Sequence, residues 1–446
     1  MTEPSFELCV HGPSDRVATG EAGARSGADL LRDAAAIAAR LSDFPVGSEI
    51  AVVCHDRYHF AASLLAAVHR GLVIALPPNA QPETLGQLRT GRVLSVLTDH
   101  DGTKGIDVRE LMGQHPAPLH APRLAPDTPF VVVYTSGSTG TPLACHKTAG
   151  QLLTEAQVLI YTFGLSAADR IVATVPPHHI YGLLFSVLVP LMAGASFSRE
   201  TPFYADVVHR IVRRDGATAL VSVPAHLRAL SIMEPAGAET LTRFFSSGAP
   251  LPSETRAMLA ERFGWKVTEI LGSSETGGIG WRDEASADYR AFDVVEIDVA
   301  DDARLALRSP YLPPDAPSPF VTNDRIERTG PGCFRHLGRV DGVVKIGSTR
   351  VSVAELEARL LSLPEVRDAA VLAMPGRAGR GQETWAVLAL ESGRELSTEQ
   401  VRTALRAWLD PVVIPRRYRF VEALPREVTG KLRREVLLAL FEGSES

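Results

Sequence analysis

Cysteine is scarce in this 446-residue chain: Cys9, Cys54, Cys145 and Cys333 are the only four, and no CxxC pair occurs among them. That spacing argues against a zinc ribbon, an iron–sulfur cluster and a disulfide framework, and it suits a reducing compartment such as the cytoplasm. Basic charge is not in excess either. Lys and Arg number 46 against 52 Asp and Glu, so the electrostatics offer nothing to a nucleic acid. Long apolar runs are also missing. The longest stretch without a charged residue, 171–198, contains Pro176, Pro177, His178, His179 and Pro190. Those residues would break a spanning helix, so we expect no membrane span and read a buried loop, helix and turn. Residues 1–20 are polar and carry acids, unlike a secretory leader. No Gly-x-Gly-x-x-Gly follows an apolar strand, and no glycine-rich loop ends in Gly-Lys-Ser/Thr. These absences argue against a nicotinamide dehydrogenase and a P-loop kinase.

What is present is a globular composition, 45% hydrophobic and 22% charged, which excludes a disordered or fibrous chain. The length suits about two to four domains. Apolar spacing predicts helices over 28–41 and 59–69. Short apolar runs predict buried strands over 50–54, 71–76, 130–134, 219–223 and 267–271. Alternation of this kind predicts an α/β fold with layered, mostly parallel sheets. From about 339 the texture changes: short strands over 343–346, 369–373 and 386–390 surround helices over 353–361 and 398–409. We therefore expect a large N-terminal domain, 1–338, and a small mobile α+β domain, 339–446. The proline-rich stretch 310–319 reads as a surface loop.

The densest chemical signal is Thr135-Ser136-Gly137-Ser138-Thr139-Gly140, directly after an apolar strand. Hydroxyls and free N–H groups between glycines can surround phosphate oxygens, although an ordinary Ser/Gly hairpin shares that composition. The loop resembles the phosphate-binding signature of the adenylate-forming superfamily: acyl- and aryl-CoA ligases, peptide-synthetase adenylation domains and luciferases. Further segments resemble that family's motifs in order. They are Pro177-His178-His179-Ile180-Tyr181-Gly182, Ser247-Gly248-Ala249-Pro250, Leu271-Gly272-Ser273-Ser274-Glu275-Thr276, Thr322-Asn323-Asp324, the segment from Gly338-Arg339 to Gly347, and Thr429-Gly430-Lys431.

The resemblance implies an ATP-dependent carboxylate–thiol ligase. Mg-ATP and an acid give an acyl-adenylate and pyrophosphate, and a thiol of CoA or a phosphopantetheinyl carrier protein then takes the acyl group. Residue by residue, it implies that 135–140 hold the leaving phosphates. Glu275 positions Mg²⁺, and Ser274 bonds the α-phosphate. Ser247, Gly248, Ala249, Pro250, Leu271, Gly272 and Ser273 border the nucleotide, Asp324 accepts from the ribose hydroxyls, and Arg339 and Lys345 add charge nearby. Lys431 bridges the acid and the α-phosphate, as an oriented cation stabilises developing charge. His179 stands at the reacting carboxylate. With Tyr181, Gly248 and Gly277 it borders an acyl pocket sized for a small aromatic acid of the hydroxybenzoate type. Asp341 is the expected hinge of a domain swing that brings in Gly347, Ser348, Thr349 and Arg350 for thioester formation.

Three positions depart from the family pattern: Leu143 where a lysine is usual, Leu271 where an aromatic is usual, and Asn323 before the aspartate. They suggest a divergent branch, resembling the short acyl/aryl ligases of aryl-polyene or pigment pathways, and leave open whether Lys147 replaces the missing lysine. Two rivals remain: a short- or medium-chain fatty acyl-CoA ligase, and a non-catalytic nucleotide-binding relative. A homodimer is left open. The His55-x-x-x-His59 pair lacks a third ligand in sequence and reads as surface. The run Pro415-Arg416-Arg417-Tyr418-Arg419 reads as a solvated face, or as a surface for an acidic carrier protein.

Overall fold

The computed structural model describes residues 5–446, apart from 115–116, 136–142, 234–237, 284–287, 340–342, 347–348, 377–381, 426–431, 433 and 443–446, and gives backbone alone at 302, 339, 343–345, 350, 352, 354 and 442. Two compact units divide the chain: residues 1–78, 87–134 and 144–340, and residues 79–86, 135–143 and 341–446.

The first unit is layered α/β. Its smaller sheet runs in the order Leu143–Thr148, Pro129–Thr135, Val73–Leu76, Glu49–Val53, Val93–Thr98, Ile106–Asp107. The four strands in the middle of that order are mutually parallel. Glu49–Val53 is buried at every residue, as expected of a strand covered on both faces. Asp56 starts the helix Arg57–His69 by accepting from the N–H groups of Tyr58 and His59. Thr148 and Gln151 form a capping box at the start of the helix Ala149–Phe163, which Gly164 ends in the left-handed region at φ +60°.

The larger sheet has a parallel core, Ser196–Ser198, Arg170–Ala173, Ala219–Ser222, Arg243–Ser246 and Val267–Ser273. It continues through antiparallel strands Gly277–Arg282, Asp288–Ala291, Cys333–Arg339, Phe320–Gly330, Arg304–Arg308 and Glu296–Val299. On the other edge sits the hairpin Arg16–Gly20/Gly23–Ser26. The stretch 171–198 is buried, with a strand at each end. Between them a helical run, Ile180–Leu183 to Val189–Ala193, passes through a π turn at Leu184–Leu188.

One arginine ties the layers together. Arg57 is fully buried, and its guanidinium donates to Ser186 Oγ (2.9 Å) and to the carbonyls of Ala173, Val175, Ser198 and Glu200. Burial lowers its pKa to about 10, so it stays charged at neutral pH.

The second unit is α+β. Gln382–Leu390 pairs antiparallel with Val366–Pro375 and parallel with Arg417–Val421, flanked by helices Val353–Leu361, Thr398–Arg406 and Arg434–Glu442. Arg417 to Arg419 of the basic run thus lie half-buried on an edge strand, while Arg416 is exposed. Arg417 lies over the Trp385 ring at 4.6 Å, and Arg419 Nε donates to the Leu440 carbonyl at 2.7 Å. The stretch 310–319 is anchored too, since Tyr311 sits in the first unit's core at 1% exposure. Among the described residues no helix is long and apolar enough to cross a membrane.

Candidate active site

Parallel strands present their C-terminal ends on one edge, and loops leaving that edge are where ligands bind in open α/β sheets. Arg170–Ala173, Arg243–Ser246 and Val267–Ser273 share such an edge in the larger sheet. The loops that follow them carry His179, then Ser247 to Pro250, then Ser274 and Glu275. Ser247 Oγ donates to the Ile270 carbonyl at 2.9 Å, joining the second loop to the strand that leads into the third. Gly248 sits at φ +91°, a conformation that disfavours any side chain there. The turn's exit is fixed where the Leu251 N–H donates to Glu269, a buried carboxylate that also pairs with Arg282 at 3.0 Å.

The Glu275 turn is held from beneath. Lys147 is buried, and its Nζ donates to the carbonyls of Glu275 (2.8 Å) and Tyr311 (2.7 Å). The Cys145 thiol donates to the Ser274 carbonyl at 3.3 Å. Inside the turn, the Thr276 N–H donates to Ser273 Oγ, whose distance to Thr276 Oγ1 is 2.9 Å. Beyond it, the Gly278 N–H donates to Glu155 Oε1 at 2.6 Å. Gly277 has φ +68°, and a Cβ there would meet both Glu155 Oε2 and the Tyr311 ring at 2.8 Å. The backbone is thus pinned on four sides. The half-buried Glu275 carboxylate makes no hydrogen bond or ion pair with any described residue. Lys147 consequently serves as a support under this turn; the lysine missing at Leu143, itself exposed, is not restored by it. Burial lowers the Lys147 ammonium and raises the Glu155 carboxyl to about 7, which the Gly278 N–H and Lys147 partly offset.

Asp324 lies on Phe320–Gly330 directly opposite Arg339 on the facing antiparallel strand. Its Oδ1 is 2.9 Å from His336 Nε2, and its own N–H donates to Thr322 Oγ1 at 3.1 Å. The hydrogen bond to His336 orients the carboxylate. The loop before Gly182 is equally constrained, because a Cβ at Gly182 would fall on the Pro176 carbonyl. Burial lowers His179 to about 4, so it is neutral at physiological pH. Burial also pushes the Tyr181 phenol well above its ordinary range, keeping it a hydrogen-bond donor. Its ring packs on Phe185 at 5.1 Å, which meets Phe245 at 4.9 Å.

Leu271 is buried at the end of its strand and offers aliphatic surface where a ring was expected. Thr135 ends the strand Pro129–Thr135, and its hydroxyl donates to the Leu143 carbonyl at 3.4 Å. Thr349 opens the strand Thr349–Ser352, opposite Ile346. Ser136 to Gly140, Asp341, Gly347, Ser348 and Lys431 lie outside the described residues, as do the side chains of Arg339, Lys345 and Arg350.

Known proteins match this arrangement. A family model described as AMP-binding enzyme covers residues 6–310, and its C-terminal counterpart covers 355–431. The chain belongs to the adenylate-forming superfamily. It is an enzyme of the acid–thiol ligase class, and its family uses ATP and CoA. A 4-coumarate–CoA ligase of Rhodobacter capsulatus is 31% identical over 313 residues, which is 69% of this chain and 76% of that protein. A sulfoacetate–CoA ligase of Cupriavidus necator is 28% identical over 359 residues, 74% and 70% of the two chains. An amide bond synthetase from Marinactinospora thermotolerans superposes with a TM-score of 0.84 over 96% of this chain and 98% of its own, at 21% identity, which is a likeness of fold.

Three residues of the ligase were not legible as site residues: Lys147 as a support, Glu155 and His336. Glu155 carried a signal, a lone acid amid the apolar residues of its helix. His336 would have been found by placing Asp324 and Arg339 on facing strands.

Proposed function

We propose that this ligase activates a small aromatic carboxylic acid of the hydroxybenzoate type and passes it to the thiol of CoA or of a phosphopantetheinyl carrier protein. The observation that carries the reading is the Glu275 turn: its backbone is fixed by Cys145, Lys147 and the Gly278–Glu155 bond while its carboxylate has no partner among the described residues. Such a carboxylate suits the Mg²⁺ that accompanies ATP, whose chemistry is to offset charge on the phosphates. A carboxylate oxygen of the acid attacks the α-phosphorus, and the bond to pyrophosphate breaks. The thiolate sulfur then attacks the acyl carbon and AMP leaves.

In this scheme Ser274 and residues 135–140 bind phosphate oxygens, and Lys431, on the 339–446 domain, meets the acid and α-phosphate in the first step. Asp324, oriented by His336, accepts from the ribose hydroxyls. Turning that domain about Asp341 exchanges Lys431 for the loop of Gly347 to Arg350 before the thiol attacks. For the acid, the Tyr181 ring packs on Phe185, which meets Phe245, aromatic packing that suits a flat ring, and three relatives named as 4-coumarate–CoA ligases are 30–31% identical.

The test is a panel of benzoates, cinnamates and short and medium fatty acids, supplied with Mg-ATP and CoA or a carrier protein, with thioesters read by mass spectrometry. We expect selective conversion of one hydroxybenzoate. Equal or better conversion of fatty acids would replace the aromatic reading with the aliphatic one.

A further inference from the structure

A second cluster of donors lies in the first unit, on the edge of the smaller sheet. Val53 and Thr98 are register partners on neighbouring parallel strands, so the loops carrying His55 and Asp99-His100 leave the sheet side by side. The His55 and His100 rings face each other with centroids 3.4 Å apart at 31°. A ligand atom from each of His55, Asp99 and His100 lies within 4.8 Å of the others. His59, read from sequence as surface, instead bonds Asp99 Oδ2 at 3.0 Å and is largely buried. The same carboxylate accepts from the N–H groups of His55 (2.7 Å) and Asp56 (3.0 Å).

The bland reading is a buried aspartate that caps a chain turn. It explains His59, the two N–H groups and the approach of His100 Nε2 to Asp99 Oδ1 at 3.9 Å, but not the stacking of the two rings, whose nitrogens make no hydrogen bond among the described residues. The two imidazoles in face contact offer ring nitrogens next to a fixed carboxylate. A third imidazole interacts electrostatically with both: that of His178, whose Nδ1 is shut off from solvent with no partner among the described residues. The position of His178, next to His179 at 4.6 Å between ring centroids, links the cluster to the loop bordering the acyl pocket.

We propose that His55, Asp99 and His100 form a divalent transition-metal site of the zinc type, with an open fourth position beside His178. Two imidazoles and one carboxylate are a donor set suited to Zn²⁺, and to Co²⁺ as its probe. Bonds of about 2.1 Å to the ion need ligand atoms roughly 3.4 Å apart, a closure that side-chain rotation supplies. His59 is the outer partner that holds the carboxylate ligand in orientation, the arrangement seen around many metal ligands. The ion would join the loops that leave two neighbouring strands, and this holds whichever acid the enzyme takes.

The experiment is Co²⁺ titration of chelator-dialysed full-length protein by visible absorption, followed by displacement with Zn²⁺. The wild type should take up one ion per chain with the intense bands of a low-coordinate site. His55→Phe and His100→Phe should each weaken binding at least about tenfold, and His69→Gln, exposed at the C-terminal end of the helix Arg57–His69, should leave it unchanged. Circular dichroism and melting of each variant check folding, and because His55 is exposed, its replacement keeps the test valid if His100→Phe misfolds. Absence of Co²⁺ bands in the wild type, or equal binding by wild type and His55→Phe, would overturn the proposal.

Discussion

Glu155 shows what a single buried acid can do to the whole enzyme. Its folded pKa, about 7, stands above the ordinary 4.5 because burial disfavours the charged form. The favourable contribution is therefore complete below about 4.5 and lost as pH rises to about 7, on the order of 3 kcal/mol at about 1.4 kcal/mol per pH unit. Glu155→Gln keeps an acceptor for the Gly278 N–H and removes the titration. Its melting temperature should be flatter than the wild type's between pH 5 and 7, and equal slopes would remove Glu155 from the account. Lys431 belongs to this scale as well. Lys431→Ala should depress adenylation by orders of magnitude while sparing thiol attack on chemically prepared adenylate. Equal loss in both half-reactions would refute its role in the first step.

At the scale of elements, Arg57 is the joint between layers. Arg57→Met leaves several buried carbonyls without donors, so unfolding in urea should show a loss of roughly 3 kcal/mol or more. A loss below about 1 kcal/mol would mean that water replaces the guanidinium. The elements themselves were legible where local pattern and burial agree. The predicted helix over 28–41 is Gly27–Arg40, and the strand over 50–54 is Glu49–Val53. Less legible were the antiparallel strands between Gly277 and Arg339. Phe320–Gly330 alternates in burial but is charged on its open face, so its apolar signal is thin. The helix expected to reach 409 stops at Arg406, because turn geometry past that point is set by contacts that sequence period does not encode. The site divides in the same way. Glycines and acids in the motifs were readable, whereas supports such as Lys147 come from a strand remote in sequence and were seen only through packing.

At the scale of the molecule, two units and two half-reactions set the expectation of a swing about Asp341. Asp341→Pro should leave adenylation within a few-fold of wild type and block thioester formation, read as hydroxamate yield against CoA-thioester yield. Unchanged thioester yield would exclude this hinge. The chemistry of this ligase rests on its making an adenylate. Acid-dependent exchange of labelled pyrophosphate into ATP tests it most directly, because exchange requires reversible formation of that intermediate and no thiol. Exchange should appear only with acid, peak with one hydroxybenzoate and disappear in Glu275→Ala. ATP bound without exchange across the whole acid panel would contradict it.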